Sequence, residues 1–461
     1  MEGTRSWLDN LKLRLSYGMA GADNIDASLW RETWESTTVT FNGQTYSGYK
    51  PSGMLSNPDL KWETTISRNI GLDFGFFNNR LSGTIDAYWN TTKDLLMCIP
   101  IDETTGYSYQ YQNIGQTSNK GIEIALNYDI LRTKDFTLGV SATYNYNHNN
   151  IDELADNIIA QYGSQWASSA TTPTYDYEFR EGKPVGLIRG YICDGYYTTA
   201  DFNYDPATKT YTLKPGVADL GNQVGNYPSH YNLPEGQKAF PGAVKLRDLD
   251  GNGVADTEDV ADLGEITHPH TGGFNLNMTW KDIDFSAGFA WAAGGHVYNV
   301  NSLINMYGNK DTGAGANKLE FISDCYQIYD IQNGELVPVV EPDALDALNT
   351  GAKYGVPYME NGTVLSTFVE DASFLRLNTL TVGYTFPKAW TKKIGMQRAR
   401  VYATAGNLFT ITGYSGIDPE VNADPNKSTT AANTGNYPLL GMDYGTYPRA
   451  RTFTFGVNIT F

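Results

Sequence analysis

Apolar and polar residues alternate along most of this chain with a period of two, the pattern of β-strands that bury one face. A clear example surrounds the Asn78-Asn79 turn. One face of the flanking segments is apolar, with Ile70, Leu72, Phe74, Phe76, Leu81, Ile85, Ala87 and Trp89, and the other carries Asp73, Ser82, Thr84 and Asp86. The pattern predicts an all-β, antiparallel protein with about eleven or twelve strands, many of roughly the ten residues that a tilted strand needs to cross a bilayer.

The chain ends with such a strand, in which Phe453, Phe455, Val457, Ile459 and Phe461 share one side. An exposed aromatic edge promotes aggregation of a soluble protein. A transmembrane barrel instead shows lipid an apolar face and pairs its last strand with its first. The segment therefore favours a barrel over the end of a β-sandwich. Its Gly456, Ile459 and terminal Phe461 also resemble the signal that the bacterial barrel-assembly machinery reads.

Short turns alternate with long stretches rich in Gly, Asn, Asp, Tyr and Pro, at about 18–60, 147–183, 200–268 and 300–372. Short turns at one rim and long loops at the other are typical of outer-membrane barrels. A soluble sandwich rarely has loops of this length unless they are functional. Periodicity alone leaves open whether the strands close as a small porin or form the second half of a larger barrel.

Composition narrows the choice further. No apolar run approaches the roughly 20 residues of a membrane-spanning helix. The net charge of -18 argues against nucleic acid as a partner, because phosphates need a basic surface. The three cysteines are far apart and lack CxxC spacing, so they indicate neither a zinc site nor a disulfide framework.

Residues 248–259 have the outline of an EF-hand-like calcium loop. Oxygen donors fall at positions 1, 3, 5, 9 and 12 of the loop, with a backbone carbonyl at position 7 and glycine at position 6. The predicted ligands are Asp248, Asp250, Asn252, Val254, Asp256 and Asp259. The last ligand is one methylene shorter than the usual Glu. The alternative is an acidic turn that binds nothing, whereas bound calcium would fix a long loop within residues 241–264.

No motif for catalysis is present. The five histidines form no HExxH, and there is no GxSxG, P-loop or clear Ser/His/Asp cluster. Scattered Asp and Glu residues do not indicate a glycosidase, because any two of them meet in some fold. The sequence therefore predicts a protein that is not an enzyme.

Several longer segments resemble the SusC/RagA family of TonB-linked outer-membrane proteins, in the order that the family has them. They include NPDLKWE at 57–63, NIGLDFG at 69–75, DAYWNTTKDLL at 86–96, SFLRLN at 373–378, GIDPE at 416–420 and YPRARTFTFG at 447–456. The resemblance spans essentially the whole chain. It implies that residues 1–461 form the carboxy-terminal part of a TonB-dependent transporter barrel of about 22 strands with long extracellular loops.

The family's signal peptide, amino-terminal domain and plug would then lie outside this chain, which on its own would be a non-functional fragment. The resemblance implies TonB-dependent import of oligosaccharides, or peptides, across the outer membrane of a Gram-negative, Bacteroidetes-like cell. A SusD-like surface lipoprotein and TonB would be the partners, together with outer-membrane lipid and the barrel-assembly machinery. Polar residues such as Lys12, Arg14, Asp73, Asp86 and Glu123 would line the lumen, and no residue is assigned to substrate.

Two alternatives remain open at this point. One is a passive porin of about twelve strands that closes on itself. The other is a secreted, calcium-dependent carbohydrate-binding β protein, for which the aromatic content of 13% and the acidic loop also suffice.

Overall fold

Ten long antiparallel strands form one continuous sheet, and they pair with their neighbours in the order of the chain. The strands are β1 (Leu8–Ala22), β2 (Glu63–Phe76), β3 (Leu81–Lys93), β4 (Gln116–Arg132), β5 (Phe136–Glu153), β6 (His270–Trp280), β7 (Ile283–Ala293), β8 (Phe374–Thr385), β9 (Arg398–Thr412) and β10 (Thr452–Thr460). The computed structural model describes residues 7–22, 29–107, 109–154, 160–162, 177–222, 230–306, 319–357, 363–421, 441–443 and 445–461. The prediction of an antiparallel all-β fold is confirmed.

The sheet has one apolar and one polar face because the strands pair in a register that keeps the alternation aligned. Leu13 lies opposite Leu72, and Leu72 lies opposite Ile85. The side chains of this apolar outer face are exposed, by 63% at Leu13 and 80% at Phe455. An apolar band of this kind faces lipid in membrane barrels.

The strands are joined alternately at two rims. Short connections at residues 77–80, 133–135, 281–282 and 386–397 form the short-turn rim. The described parts of residues 23–62, 94–115, 154–269, 294–373 and 413–451 form the long-loop rim. Asn78 and Asn79 adopt positive φ in the turn between β2 and β3, a conformation that Asn tolerates. The turn predicted there is confirmed.

The large sheet has fewer strands than the sequence pattern predicted. Other strands do not enter the sheet but pair among themselves at the long-loop rim. Leu187–Gly190, for example, pairs with Ala261–Glu265. Period-two alternation indicates a strand without identifying its partner, so it does not determine how many strands join one sheet.

Short elements occupy the long-loop rim. The paired short strands are Trp34–Phe41 with Gln44–Pro51, Cys193–Tyr196 with Val244–Leu246, Phe202–Asp205 with Thr210–Leu213, Asp219–Leu220 with Val254–Ala255, His296–Tyr298 with Val369–Asp371, and Tyr329–Gln332 with Glu335–Pro338. Small sheets are formed by Met54–Leu55, Leu96–Pro100 and Tyr109–Asn113, and by Ala160–Tyr162, Tyr177–Phe179, Leu187–Gly190 and Ala261–Glu265. The helices of this rim are α1 (Val300–Met306) and α2 (Pro342–Leu348), and its 3-10 turns are Glu103–Thr105, Thr199–Asp201, Thr257–Asp259, Glu320–Asp324 and Ser366–Phe368. At the short-turn rim lie α3 (Lys388–Thr391) and the 3-10 turn Lys392–Ile394. Within the described residues, no helix is both long and apolar enough to cross a membrane.

The long loops after β5 and β7 share a buried core, although the sequence predicted irregular stretches there. Tyr191, Tyr197, Tyr211 and Tyr298 are fully buried in it. The Tyr197 hydroxyl donates to the Ala218 carbonyl at 2.8 Å. Burial raises the pKa of Tyr197, so the phenol stays neutral and keeps this bond. These two loops therefore form one folded unit at the long-loop rim, called the loop body below.

On the inner face, Gly71 of β2 lets side chains from the two flanking strands meet. The Arg14 guanidinium of β1 crosses above Gly71 to Asp86 of β3, with Nη2 and Oδ2 2.7 Å apart. Arg14 Nε also donates to Asp73 at 2.9 Å. A Cβ at Gly71 would lie 2.7 Å from Arg14 Cζ, closer than van der Waals contact allows. Glycine is therefore required for this cross-strand ion pair.

The same arrangement recurs at the other end of the sheet. Arg400 of β9 reaches across Gly383 of β8 to Asp284 of β7, with Nε donating to Oδ1 at 2.8 Å. A Cβ at Gly383 would lie 2.6 Å from Asp284 Oδ1 and equally close to Arg400 Nε. Two separated parts of the wall thus use glycine to link strands that are not neighbours.

We predict that Gly71→Val destabilises the sheet by about 1–3 kcal/mol, because the branched side chain must displace the Arg14–Asp86 pair. Gly18→Val is the matched control, since Gly18 lies on the inner face of β1 and a Cβ there meets nothing within 4 Å. The measurement is the free energy of unfolding in detergent micelles from urea titration followed by tryptophan fluorescence. An equal loss in both variants would show that the absence of a side chain at position 71 has no special role.

Candidate functional site

The polar inner face brings together the charged residues that the sequence assigned to a lumen. Arg14, Gly71, Asp86 and Glu123 lie opposite one another on four successive strands. Lys12 lies opposite Asp73, with Nζ and Oδ2 4.0 Å apart. The charges on β1 to β3 are therefore mostly neutralised within the wall, and Glu123 is exposed at the end of the row.

The middle of the inner face is polar but mostly uncharged. On β4 to β7 its side chains end in amides and hydroxyls, at Asn127, Ser141, Asn145, Thr271, Asn275, Asn277, Thr279 and Ser286. Such groups both donate and accept hydrogen bonds. This part of the wall is suited to a neutral, hydroxyl-rich solute or to water.

A buried arginine, Arg376, lies where β8 meets the long-loop rim. Arg376 is 1% exposed, and its Nη2 donates to Asp418 at 2.6 Å. Its Nη1 reaches Glu420, and its Nε donates to the Thr410 hydroxyl at 2.9 Å. The guanidinium also stacks over the Phe374 ring, 5.1 Å from the centroid. Every donor group of this buried charge therefore has a partner, as burial requires.

Arg449 extends the network to the segment that enters β10. Its Nε lies 3.4 Å from Asp418 and its Nη2 3.2 Å from Glu420. Two arginines and two carboxylates thus connect β8, the loop that follows β9, and the start of β10. Sequence reasoning did not find this cluster, although 373–378, 416–420 and 447–456 were three of the segments that carried the family resemblance.

The acidic loop brings three of the predicted calcium ligands together. Carboxylate oxygens of Asp248, Asp250 and Asp259 all lie within 4.8 Å of one another. Asp259 is fully buried, and its Oδ1 accepts from Leu249 N at 2.6 Å. Its Oδ2 accepts from Asp256 N at 2.8 Å. The loop is thus folded around its last carboxylate.

Asn252 and Asp256 complete the ring of oxygen-bearing side chains. The Asn252 amide nitrogen donates to Asp250 at 3.0 Å and to Asp256 at 3.2 Å, bridging two carboxylates as a cation would. Val254 pairs in a short parallel strand with Asp219, which fastens the loop to its neighbour. The donor set is oxygen-rich, as calcium requires. Calcium binding stays a prediction.

The three residues of the assembly signal lie at or near the end of β10. Gly456 is on the inner face beneath the Tyr402 ring, which a Cβ would meet. Ile459 and Phe461 are exposed by 44% and 76%. Recognition by an assembly machinery stays a prediction.

The chain is similar in sequence to known proteins over nearly its whole length. Residues 6–233 match the family model described as TonB dependent receptor-like, beta-barrel. The chain belongs to the TonB-dependent receptor barrels. TonB-dependent receptor P3 of Formosa agariphila is 30% identical over 98% of this chain. TonB-dependent receptor SusC of Bacteroides thetaiotaomicron is 29% identical over 98% of it.

A solved structure of the RagAB peptide transporter supports the fold. It matches with a TM-score of 0.68 and 24% identity over 99% of this chain. The chain covers 39% of the P3 receptor, 38% of SusC and 41% of the RagAB chain. The predicted family and the outer-membrane location are confirmed.

We predict that Arg376→Met destabilises the protein by about 3–5 kcal/mol, because it removes the buried partner of Asp418 and leaves only the more exposed Arg449, at 3.4 Å. Lys353→Met is the control, since its ion pair with Asp324 is solvent-exposed and is worth about 0–1 kcal/mol. Urea unfolding measures both. Comparable losses in the two variants would contradict a structural role for the buried network.

Proposed function

We propose that this barrel forms the wall of an energised importer in the outer membrane that takes up oligosaccharides. The observation that carries the proposal is an antiparallel wall with an apolar outer face and a polar inner face in a chain similar to SusC. The uncharged amides and hydroxyls of β4 to β7 suit sugar hydroxyl groups. Peptides are the second candidate substrate, because the chain also resembles the structure of the RagAB peptide transporter.

Two partners belong to the proposal. A SusD-like lipoprotein would cover the extracellular loops, whose shared core presents a rigid surface to it. TonB would supply energy from the periplasmic side through parts of the protein other than this wall. The folded loop body supports the proposal of this lipoprotein, because a protein that covers the loops needs an ordered surface to bind.

The passive porin is the competing function. Among the described residues β1 and β10 each pair with one strand of the large sheet, so the wall does not close on itself there. A self-contained pore needs every edge paired, because unpaired backbone groups are costly in lipid. The open edges favour a larger barrel over a ten-strand pore.

The test is uptake of fluorescently labelled oligosaccharides by cells that produce the protein at its full natural length, with a deletion strain as control. We expect uptake to be lost when the gene is deleted and when TonB is deleted. Uptake that persists without TonB would contradict energised import and favour a porin. Import of labelled peptides but not oligosaccharides would overturn the choice of substrate.

We further propose that residues 248–259 bind one calcium ion that fixes the loop body. Asp248, Asp250 and Asp259 would hold it, with Asn252, Asp256 and the Val254 carbonyl completing the six oxygens that calcium needs. The ion would offset the repulsion among the four carboxylates. Its role would be structural.

We predict that Asp248→Ala with Asp250→Ala abolishes calcium binding in titration calorimetry of the purified protein. Asp330→Ala with Asp343→Ala is the control, because Asp330 (in the strand Tyr329–Gln332) and Asp343 (in α2) lie on the connection after β7, whereas residues 248–259 lie on the connection after β5. Hydrogen bonds from the Gly253 and Gly251 amides lower the pKa of Asp248, so this carboxylate keeps its charge at pH values down to its ordinary pKa of 3.8. Protonation of Asp248 should therefore cause no loss of calcium affinity between neutral pH and about pH 4. Equal heats in both double variants would contradict a calcium site.

A further inference from the structure

The lipid-facing side of the sheet carries a row of cationic and aromatic side chains below the long-loop rim. The row runs across β1 to β5, and its members are paired in register: Tyr17 with Arg68, Arg68 with Trp89, Trp89 with Lys120, and Lys120 with His148. Paired residues of neighbouring strands share one face. These five residues, called the cationic row below, therefore form one continuous strip.

The cationic row lies near the upper border of the apolar band, with Met19 and Ile66 as the apolar outer-face pair beyond it on β1 and β2. Each member lies two positions beyond an apolar outer-face residue of its own strand, namely Leu15, Ile70, Ala87, Ile122 and Tyr146. Lys and Arg on a lipid-facing strand are costly at the bilayer midplane and tolerated near its interfaces. Their position places the row at the level of the outer-leaflet headgroups.

The cations of the row have few partners of their own. Arg68 Nη1 lies 3.4 Å from the Thr91 hydroxyl. Across the part of the chain that the structure describes, no carboxylate lies within 4.0 Å of the Arg68 or Lys120 nitrogens. The acidic group near these cations is Asp152, which interacts electrostatically with Lys120. The chain carries a net charge of -18, so a group of cations on its lipid-facing side differs from its general composition.

Two other charged groups share this face closer to the rim. Lys93, on β3, adds a further cation. Asp152, on β5, is the acidic group, and its carboxylate accepts from Ser118 at 2.8 Å, from Asn150 at 2.7 Å and from Gln116 at 3.2 Å. The acid thus accepts from three neutral donors and also interacts electrostatically with Lys120. Three cations, Arg68, Lys93 and Lys120, stand against this one carboxylate, so the strip keeps a net positive charge.

Two grooves flank the Trp89 side chain at the level of the row. One, of about 600 Å³, is lined by Trp89, Lys120, Ile122, Tyr146 and His148, among others. The other, of about 270 Å³, includes Leu15, Tyr17, Arg68, Ile70 and Trp89. Each groove combines an apolar floor with a cation at its border. Grooves of this shape and polarity fit an acyl chain that ends in an anionic headgroup.

We propose that the cationic row binds a phosphorylated, multiply acylated glycolipid of the outer leaflet. Arg68 and Lys120 would contact its phosphate groups, and His148 would donate a further hydrogen bond. Acyl chains would lie in the two grooves on either side of Trp89. The proposal uses the outer-membrane location of the barrel and does not depend on transport.

The test is native mass spectrometry of the protein at its full natural length, purified in uncharged detergent and titrated with bis-phosphorylated lipid A. We expect the triple variant Arg68→Gln, Lys120→Gln, His148→Gln to weaken binding by roughly tenfold or more, because each lost cation removes an attraction to phosphate. Arg132→Gln with Lys134→Gln, at the short-turn rim, is the matched control and should bind as the wild type does. The single variant Lys120→Gln, at an exposed position, gives an intermediate loss and guards against misfolding of the triple variant.

Two further measurements distinguish binding of lipid A from binding of any lipid and from binding of phosphate alone. Dephosphorylated lipid A and phosphatidylcholine should bind at least several-fold more weakly than lipid A. Inorganic phosphate at millimolar concentration should not displace bound lipid A, because it does not occupy the grooves. Equal binding by wild type and triple variant, equal loss in the control, or displacement by inorganic phosphate would each overturn the proposal.

Discussion

The structure depends on one constraint, which is that a backbone crossing hydrocarbon must pair all of its polar groups. The eight inner strands, β2 to β9, meet this constraint by pairing on both sides in chain order, with side chains alternating between lipid and lumen, whereas β1 and β10 each pair on one side among the described residues. Because that alternation has a period of two, a slip of one residue would turn the outer row of Leu11, Leu13 and Leu15 toward the lumen. The register therefore determines both where the sheet meets lipid and where it presents charge.

Glycine and ion pairs hold this register on the inner face. At Gly71 and Gly383 an arginine and an aspartate from the flanking strands meet above the glycine. The links join strands that share no backbone hydrogen bonds, so they stiffen the wall beyond nearest neighbours. At the long-loop rim, Arg376 and Arg449 bind two carboxylates of the loop that follows β9 and so join this loop to the wall. The ion pairs thus tie the wall to one of its long loops.

The strands and their two faces were predictable from the sequence because alternation is a local signal. Leu81, Ile85 and Asp86 already indicate which side faces lipid. The number of strands in the large sheet was not predictable, because alternation marks a strand without marking its partner, and short strands such as Leu187–Gly190 pair within the loops. The Arg376 cluster was not predictable either, because Arg376 and Asp418 are far apart in sequence and their meeting depends on the tertiary fold. The acidic loop was recognisable by its spacing, because its ligands are adjacent in sequence.

The most direct measurement of the two-faced wall is cysteine accessibility along β3. Single cysteines would be introduced from position 82 to position 88 in a protein whose native cysteines are replaced, and each would be treated with a charged, water-soluble maleimide in intact outer membranes. We expect labelling to alternate, with positions 84, 86 and 88 reacting from the aqueous lumen and positions 83, 85 and 87 protected by lipid. Uniform labelling, or the opposite phase, would contradict a transmembrane wall with a polar lumen.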